Sequence, residues 1–438
     1  MENSTKINPK TLPGFMELLP NEQILFNQML DKIRNSYERY GFLPIDTPII
    51  ESSEVILAKA GGETEKQIYK FTKGDSDLTL RFDLTVPLAK YVAQYYNELT
   101  FPFRRYQIGK VYRGEKAQRG RFREFYQCDI DIIGENELAL VNDAEIPSII
   151  YRTFKNLGLG DFTVRINNRK ILNGLFEYIN SKEKSVDIMR IIDKIEKIGE
   201  DKVKSELNEI GIQKQDIEYI IKFIRIKGTT SEKIKELKNL KIENPLFLEG
   251  VEELEEVVKH IQLFNVPEEA FEVDLTIARG LDYYTGTVYE TFLNDHKEIG
   301  SICSGGRYND LASYYTDKKL PGVGISIGLT RLFFILNDRG LIKTEEKSIA
   351  KVLIISMIDD LSKSIEIANN LREAEINTEI YFDTNKKMKA KFKYADKLKI
   401  PYVIIIGEDE IKSGKYTIKN METGEQQQLE IEDIIAKI

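Results

Sequence analysis

The sequence contains very few of the residues that most often bind metals or act as nucleophiles and bases in enzymes. Its 438 residues include two histidines, two cysteines and no tryptophan. Cys128 and Cys303 are too few for a disulfide framework and lack the clustered spacing of a zinc site. Triads and metal sites built on histidine are disfavoured for the same reason. We therefore expect arginine, aspartate, glutamate, glutamine and tyrosine to perform any chemistry, with no metal held by clustered side chains.

The sequence also lacks the features of a membrane or secreted protein. No segment approaches the roughly 18 apolar residues of a transmembrane helix. The first residues, MENSTKINPKTLPG, contain no apolar core of a signal peptide. We expect a cytoplasmic protein with no membrane partner. The net charge of −8 excludes a globally basic surface for nucleic acid, but it does not exclude a local basic patch.

The most informative segment is residues 103–134, FRRYQIGKVYRGEKAQRGRFREFYQCDIDIIG. Two runs rich in aromatic and β-branched residues flank the basic turn KAQRGR, which predicts an antiparallel hairpin. Because side chains alternate along a strand, one face is mostly apolar and the other is polar. The polar face carries Gln107, Arg113, Glu115, Arg123, Phe125, Gln127, Asp129 and Asp131. We interpret this face as the floor of a site for a charged, partly planar ligand. The alternative is a solvated sheet face with incidental ion pairs.

Two earlier segments would lie beside this hairpin. DLTLRFDLTVPLAKYVAQYY predicts a strand, a turn and a helix with Pro87 near its start. Asp83 and Thr85 would then lie where the strand ends, and the alternative role for this pair is a helix N-cap. GFLPIDTPIIE predicts an extended segment. Pro44 and Pro48 lack the amide donors of a central strand, so this segment belongs at a sheet edge or an interface.

The segment PGVGISIGLTRL predicts a strand with one nearly bare face. Gly322, Gly324, Ser326 and Gly328 share that face, and the opposite face is apolar. Small residues in a strand predict close approach of something flat, and the alternative is tight packing of another backbone or helix. Arg331 falls in the first turn of a following helix, where anions are favoured. A bare surface beside a cationic site indicates a nucleotide, although neither a Walker loop nor a dinucleotide fingerprint occurs.

Two further regions differ in composition from these segments. Residues 170–262 are rich in Lys, Glu and Ile at helical spacing and predict a helical insertion without evident chemistry. From Lys351, apolar strands alternate with helices, which predicts an α/β domain. A lysine run in that domain is either a solvated helix face or a contact for the phosphates of a nucleic acid. The run comprises Lys386, Lys387, Lys389, Lys391, Lys393, Lys397 and Lys399.

Together these segments resemble the class II aminoacyl-tRNA synthetases, and within that class the histidyl-tRNA synthetase family. FLPIDTPIIE, ending near Pro48, is similar to the first class motif, which lies at a dimer interface. VYRGE…GRFREFYQ is similar to the second motif, and GVGISIGLTRL to the third. ARGLDYYTGTVYE at 278–290 and SICSGGRY at 301–308 are similar to blocks peculiar to the histidine enzymes. The resemblance covers the whole chain.

The resemblance implies an α+β fold: a catalytic core built on an antiparallel sheet, a helical insertion and an α/β anticodon-binding-like domain. It also implies a homodimer that uses L-histidine, ATP with Mg²⁺, and tRNA(His). The implied domain boundaries are 1–169 and 263–338 for the core, 170–262 for the insertion, 339–350 for a linker and 351–438 for the anticodon-binding domain.

The resemblance also implies roles for individual residues. Arg113 and Arg279 would be catalytic, acting on the α-phosphate of ATP. Histidine would be held by Asp83, Thr85, Arg113, Gln127, Asp131, Arg279, Tyr283 and Tyr284. ATP would be bound by Arg113, Glu115, Phe125 and Arg331. Gln118 and Arg119, in the hairpin turn, would approach the acceptor end of the tRNA.

The chemistry of amino-acid activation fits a sequence so poor in histidine. The carboxylate of the amino acid is already ionised at neutral pH, so its attack on the α-phosphorus needs no general base. The reaction needs positioning of two anions and stabilisation of the growing charge, which arginines and Mg²⁺ supply. Buried Asp131 and tyrosine hydroxyls would reject analogues that leave these groups unpaired.

The sequence departs from the family pattern at one block. The family usually has three glycines followed by RYDGL, whereas this chain has Ser304, Asn309 and Asp310. The sequence leaves two alternative functions open. One is the histidine-binding regulatory subunit of ATP phosphoribosyltransferase, which lacks the anticodon-like domain and tends to lose the phosphate arginines. The other is a tRNA-binding sensor with an inactive synthetase fold.

Overall fold

The computed structural model of the chain describes residues 7–58, 65–116, 119–192, 194–277, 284–343 and 346–438. These residues form two compact units. One contains the chain up to Met16 and Asp31–Arg339, and the other contains Glu17–Leu30 and Gly340–Ile438. Among the helices of this part of the chain, none is both long and apolar enough to span a membrane.

Helices and strands of the described residues are numbered separately in chain order. The α-helices are α1 (Pro20–Arg39), α2 (Ser53–Leu57), α3 (Thr85–Gln94), α4 (Val141–Leu157), α5 (Arg169–Tyr178), α6 (Ser185–Ile192), α7 (Ile195–Ile198), α8 (Glu200–Glu209), α9 (Lys214–Ile224), α10 (Thr230–Asn239), α11 (Pro245–Leu263), α12 (Leu329–Asp338), α13 (Ser362–Glu373), α14 (Met388–Leu398), α15 (Glu408–Ser413) and α16 (Ile431–Lys437). The strands are β1 (Leu43–Pro44), β2 (Ile50–Ser52), β3 (Lys70–Lys73), β4 (Ser76–Leu80), β5 (Phe103–Tyr112), β6 (Glu124–Ile133), β7 (Phe162–Asn168), β8 (Phe271–Val273), β9 (Tyr284–Leu293), β10 (Cys303–Tyr308), β11 (Gly322–Gly328), β12 (Val352–Ser356), β13 (Thr378–Tyr381), β14 (Tyr402–Ile406), β15 (Tyr416–Asn420) and β16 (Gln426–Leu429). Short 3-10 helices occupy Glu65–Gln67, Lys182–Lys184, Glu268–Ala270, Asn294–Ile299 and Leu311–Tyr314.

The first unit is built on a large sheet that contains, within the described residues, eight strands in the order β1-β5-β6-β11-β10-β9-β7-β8. Neighbouring strands from β5 to β7 are antiparallel, and the edge strands β1 and β8 pair in parallel. β5 and β6 form the predicted hairpin, in continuous register from Phe103 opposite Ile133 to Tyr112 opposite Glu124. The predicted antiparallel core and the edge position of the Pro44 segment are confirmed.

Alternation along β6 gives the large sheet one apolar face. Cys128, Ile130 and Ile132 are fully buried on that face. α12 packs against β6, and α4 packs against β11. Burying an isoleucine side chain contributes about 1.5–3 kcal/mol, so this layer holds the sheet in place. The opposite, polar face is then available for a ligand.

The described residues between β7 and β8 are helical or in turns, from α5 to α11. Asn244 caps α11 by accepting a 3.0 Å hydrogen bond from the amide of Phe247, and Pro245 begins the helix. A Cβ on Gly174 would collide with the backbone of Phe247, so glycine lets α5 and α11 pack closely. The predicted helical insertion is confirmed, while the predicted domain boundaries stay predictions.

The second unit contains, within its described residues, a five-stranded sheet ordered β13-β12-β14-β15-β16. β13, β12 and β14 are parallel, and β15 and β16 are antiparallel to their neighbours. α13 and α16 pack on one face, and α14 packs on the other. This arrangement confirms the predicted α/β domain. The polar sequence of β16 carried no strand signal and was not predicted.

One lysine of the predicted basic run lies in the interior. Lys391 on α14 is 2% exposed. Its Nζ donates to the carbonyl oxygens of Ser356 at 2.9 Å and Thr384 at 3.4 Å. The interpretation of the run as a continuous solvated face is wrong at this position, because the helical period turns Lys391 toward the sheet.

Candidate active site

A cavity of about 470 Å³ lies on the polar face of the large sheet. Residues of β6, β11, β10 and β9 form its floor. The sequence-predicted site residues that line it are Asp83, Thr85, Arg113, Glu115, Phe125, Gln127, Asp131, Tyr284 and Arg331. Lining residues for which the sequence predicted no individual role toward a substrate include Arg121, Asp129, Glu290, Ser326 and Tyr308. The alternative of a solvated sheet face is excluded, because Gln127, Asp129 and Asp131 are each at most 8% exposed.

The floor is fixed by contacts across three strands. Asp131 on β6 lies opposite Arg105 on β5, and their side chains form an ion pair with Nη2 and Oδ2 2.5 Å apart. The hydroxyl of Tyr308 on β10 donates to Asp131 Oδ1 at 2.8 Å. Burial raises the pKa of Asp131 to about 6, although Arg105 and Tyr308 both lower it. Arg105 itself is completely buried.

Arg105 and Tyr308 were not identified as site residues from the sequence. Arg105 has the same parity as Gln107 on the hairpin strand, so alternation could have placed it on the polar face. Tyr308 could not have been found by parity. Its contact with Asp131 depends on the order β6-β11-β10, which brings together residues far apart in the chain.

Asp83 and Thr85 lie at one side of the floor, where the chain leaves β4 and enters α3. Asp83 Oδ1 accepts a 3.0 Å hydrogen bond from the amide of Val86. One oxygen of this carboxylate therefore performs the alternative role, that of a helix N-cap. The other oxygen, Oδ2, is buried with no hydrogen-bond partner among the described residues. Burial raises the pKa of Asp83, against the lowering effects of Val86 and Arg113.

Arg113 and Phe125 lie together near the turn of the hairpin, where β5 ends and β6 begins. Nε of Arg113 donates to the carbonyl of Phe82 at 3.0 Å, and its guanidinium lies 5.2 Å from the centre of the Phe125 ring. A guanidinium held by backbone and ring in this way is oriented before a ligand arrives. Glu115 pairs with Arg121 at 3.3 Å in the same part of the cavity.

A second cationic group lies beside α12. Arg331 donates from Nη2 to the carbonyl of Ile299. Burial lowers its pKa, and the nearby positive charge of Arg121 lowers it further. Two guanidinium groups this close repel each other. An anion such as a phosphate, bound beside them, would reduce that repulsion.

The glycine face of β11 differs from its prediction. A Cβ on Gly324 would collide with Asp131, and one on Gly322 would collide with the ring of Tyr308. These glycines make room for the protein's own side chains, and the prediction of a flat ligand against them is wrong. At Gly328 nothing lies within 4 Å of a Cβ position. Only the end of the strand near Arg331 retains the predicted open surface.

Some predicted residues are not brought into the cavity. Arg119 pairs with Asp338 at 2.5 Å on the surface and is not among the lining residues. Gln118, Arg279 and Tyr283 lie outside the residues that the structure describes. Of the departures from the family pattern, Ser304 lines the cavity, whereas Asn309 and Asp310 do not.

Comparisons with known proteins agree with this geometry. A family model for histidyl-tRNA synthetase matches residues 14–332, and one for an anticodon binding domain matches residues 351–438. The chain is 61% identical over 430 residues to a histidine–tRNA ligase of Clostridium tetani, with 98% of each covered. It is 49% identical over 432 residues to that of Finegoldia magna, covering 99% of this chain and 100% of the relative.

A solved structure extends the similarity to three dimensions. The crystal structure of histidyl-tRNA synthetase from Nostoc sp. PCC 7120 superimposes with a TM-score of 0.91 at 43% identity, covering 99% of this chain and 100% of that one. The similarity covers both the core and the C-terminal α/β domain of this chain. On the family model and on these relatives, the chain belongs to the histidyl-tRNA synthetase family.

Proposed function

We propose that the chain is a histidine–tRNA ligase, which activates L-histidine with ATP and transfers the histidyl group to the 3′ end of tRNA(His). The observation that carries this function is one cavity lined by both carboxylates and arginines. Its lining includes Asp83, Gln127 and Asp131 together with Arg113 and Arg331. A zwitterionic amino acid and a polyanionic nucleotide match these two kinds of group.

The residue roles are part of the same proposal. Asp83 Oδ2, Thr85 and Gln127 would hold the α-ammonium group, and Asp131 with Tyr284 would contact the imidazole ring. Phe125 would stack on adenine and Glu115 would hydrogen-bond to it. Arg113, together with Arg279, would stabilise the charge that develops on the α-phosphate. Arg331 would bind the γ-phosphate.

The reaction would proceed in two steps in this cavity. A carboxylate oxygen of histidine attacks the α-phosphorus, and pyrophosphate leaves. The 3′-terminal ribose hydroxyl of the tRNA then attacks the acyl carbon of histidyl-adenylate, and AMP leaves. Mg²⁺ would enter with ATP and neutralise phosphate charge. Glu290, a carboxylate lining the cavity away from Asp131, is an oxygen donor of the kind that Mg²⁺ prefers.

We also propose a homodimer in the cytoplasm. The segment similar to the class dimer motif exposes Leu43, Ile49 and Ile50, which are 59%, 41% and 49% exposed. Exposed apolar residues clustered in one short segment are typical of an interface. For tRNA contact, Lys389 and Lys393 on α14 are exposed, and they support the predicted binding of phosphates.

Histidine-dependent exchange of pyrophosphate into ATP tests the first step. We expect exchange by the wild-type chain and a loss of at least roughly a hundredfold in Arg113→Ala and Arg279→Ala, since a transition-state cation contributes about 3 kcal/mol. Arg39→Ala removes an exposed arginine at the end of α1 and serves as the matched control. Its exchange rate should equal that of the wild type.

The alternatives differ in this experiment. A wild-type chain that binds histidine but shows no exchange would favour a regulatory subunit or a sensor over the ligase. The match of residues 351–438 to an anticodon binding domain and the arginines in the cavity favour the ligase. Charging of tRNA(His) with labelled histidine then tests the second step.

A further inference from the structure

One buried carboxylate in the cavity has no role in the function proposed above. Asp129 lies between Gln127 and Asp131 on the same face of β6, about 7 Å from each along the strand. It is 2% exposed and lines the cavity. The Ser326 hydroxyl accepts a 2.8 Å hydrogen bond from Gln127 and donates to Asp129. Asp129 Oδ1 has no hydrogen-bond partner in the described part of the chain.

Among the described residues, the groups that face Asp129 compensate its charge only in part. Arg105 on β5 is the buried cation near it, and Arg105 is already paired with Asp131. Asp83, from the segment before α3, adds a third carboxylate. The remaining titratable neighbours among the described residues are Tyr37, Cys128 and Cys303. Burial raises the pKa of each of these three, so they are neutral near neutral pH.

A pocket with this charge favours a cationic ligand. In the proposed function, Asp83 already faces the α-ammonium group of histidine, which leaves Asp129 for another cation. The imidazole ring, with an unperturbed pKa of about 6.5, is the part of the substrate that can become one near neutral pH. Burial raises the pKa of Asp129 to about 7, so the carboxyl and the ring compete for one proton in the same pH range.

We infer that Asp129 determines the protonation state in which histidine binds: the Asp129 carboxylate and the neutral substrate imidazole together take up one additional proton. When the added proton is on the ring, one ring N–H donates to Asp129 and the other faces the carboxylate of Asp131. This inference rests on the proposed function, because it takes histidine as the ligand of the cavity. It goes beyond that function by adding Asp129 as a residue that selects the substrate's charge.

The inference predicts a specific pH dependence. Above about pH 7, free Asp129 and free imidazole are both deprotonated, so binding must take up one proton. The histidine dissociation constant should then rise about tenfold per pH unit for the wild type. In Asp129→Asn the amide cannot take the proton, and the dissociation constant should change less than about twofold over the same range. The α-ammonium group of histidine titrates equally in both proteins.

Isothermal titration calorimetry of histidine without ATP, between about pH 7.5 and 8.5, measures this dependence. Two buffers with different ionisation enthalpies give the number of protons taken up directly. Glu124→Gln is the matched control, because Glu124 is a carboxylate of the same strand, β6, but is not among the residues that line the cavity. It pairs with Lys110 and is 20% exposed, and its variant should keep the wild-type slope.

The outcomes separate the inference from the proposed function. Uptake of one proton by the wild type and Glu124→Gln, and of none by Asp129→Asn, supports the inference. Histidine binding by the wild type without proton uptake overturns it, and so does an unchanged slope in Asp129→Asn. Pyrophosphate exchange by the wild type in those cases leaves the ligase function intact. Absence of both histidine binding and exchange overturns both. If Asp129→Asn fails to fold, Asp129→Ser, which also removes the titratable carboxyl group, is measured in its place.

Discussion

The two larger sheets of the molecule bury different chemistry. In the five-stranded sheet, β12 is buried at every residue, and its sequence VLIIS is apolar up to the final serine. In the eight-stranded sheet, β5 and β6 bury Arg105, Gln107, Asp129 and Asp131. Apolar burial stabilises a fold, whereas buried charge costs free energy unless it is paired. The eight-stranded sheet therefore gives up stability to bury the charged groups of the cavity. The five-stranded sheet is stabilised by its buried apolar residues.

The largest expected effect is removal of the buried cation. Arg105→Met leaves Asp131 without its ion-pair partner, and we expect about 3–5 kcal/mol less stability in the large sheet. Hydrogen exchange of peptides from β5 and β6 in the full chain measures this loss. Arg104→Met is the matched control, because Arg104 pairs with Glu145 on the other face and is 23% exposed. It should cost less than Arg105→Met, because solvent partly screens this pair. Equal losses in the two variants would contradict the contrast between the sheets.

A smaller effect should come from pH. Because the folded pKa of Asp129 is raised to about 7 from 3.8, the folded chain binds a proton that the unfolded chain releases. Stability should therefore fall as pH rises from about 4 to 7 and level off above the folded pKa. Between about pH 5 and 7 this amounts to roughly 2–3 kcal/mol, at about 1.4 kcal/mol per pKa unit.

Scanning calorimetry at the two pH values measures this change. Asp129→Asn should lose the part of the pH dependence that belongs to Asp129, while Asp131 and the exposed acids titrate in both proteins. A variant with the full wild-type dependence would show that other groups cause it.

The smallest effect concerns the buried lysine of the apolar sheet. Lys391→Met leaves the carbonyl oxygens of Ser356 and Thr384 without their donor, and we expect a loss of about 1–2 kcal/mol. Hydrogen exchange of peptides from β12 and α14 reports it. Lys393→Met, two residues further on the exposed side of the helix, should show no measurable change. If both lysine variants lost equally little stability, the buried hydrogen bonds of Lys391 would contribute nothing to the stability of this sheet.

The sequence predicted the features that depend on the local spacing of apolar and polar residues. Alternation over residues 103–134 identified the hairpin and its polar face, and helical spacing identified the insertion. The polar strand β16 was missed because its pairing with β15, not its composition, makes it a strand. The lysine run was recognised, but charge alone does not show which member turns inward. In the site, parity identified the polar-face residues of β6 and could have identified Arg105 on β5. Tyr308 could be found only from the order of the strands in space.

In the proposed histidine pocket, the collision between a Cβ at Gly324 and the Asp131 side chain limits redesign of the amino-acid specificity. The two positions lie opposite each other on neighbouring strands, so the volume at one limits the volume at the other. A library that varies position 131 alone tests each new side chain only with glycine at position 324. Varying positions 131 and 324 as a pair, with one enlarged as the other shrinks, would give access to pocket shapes for other amino acids that neither position provides separately.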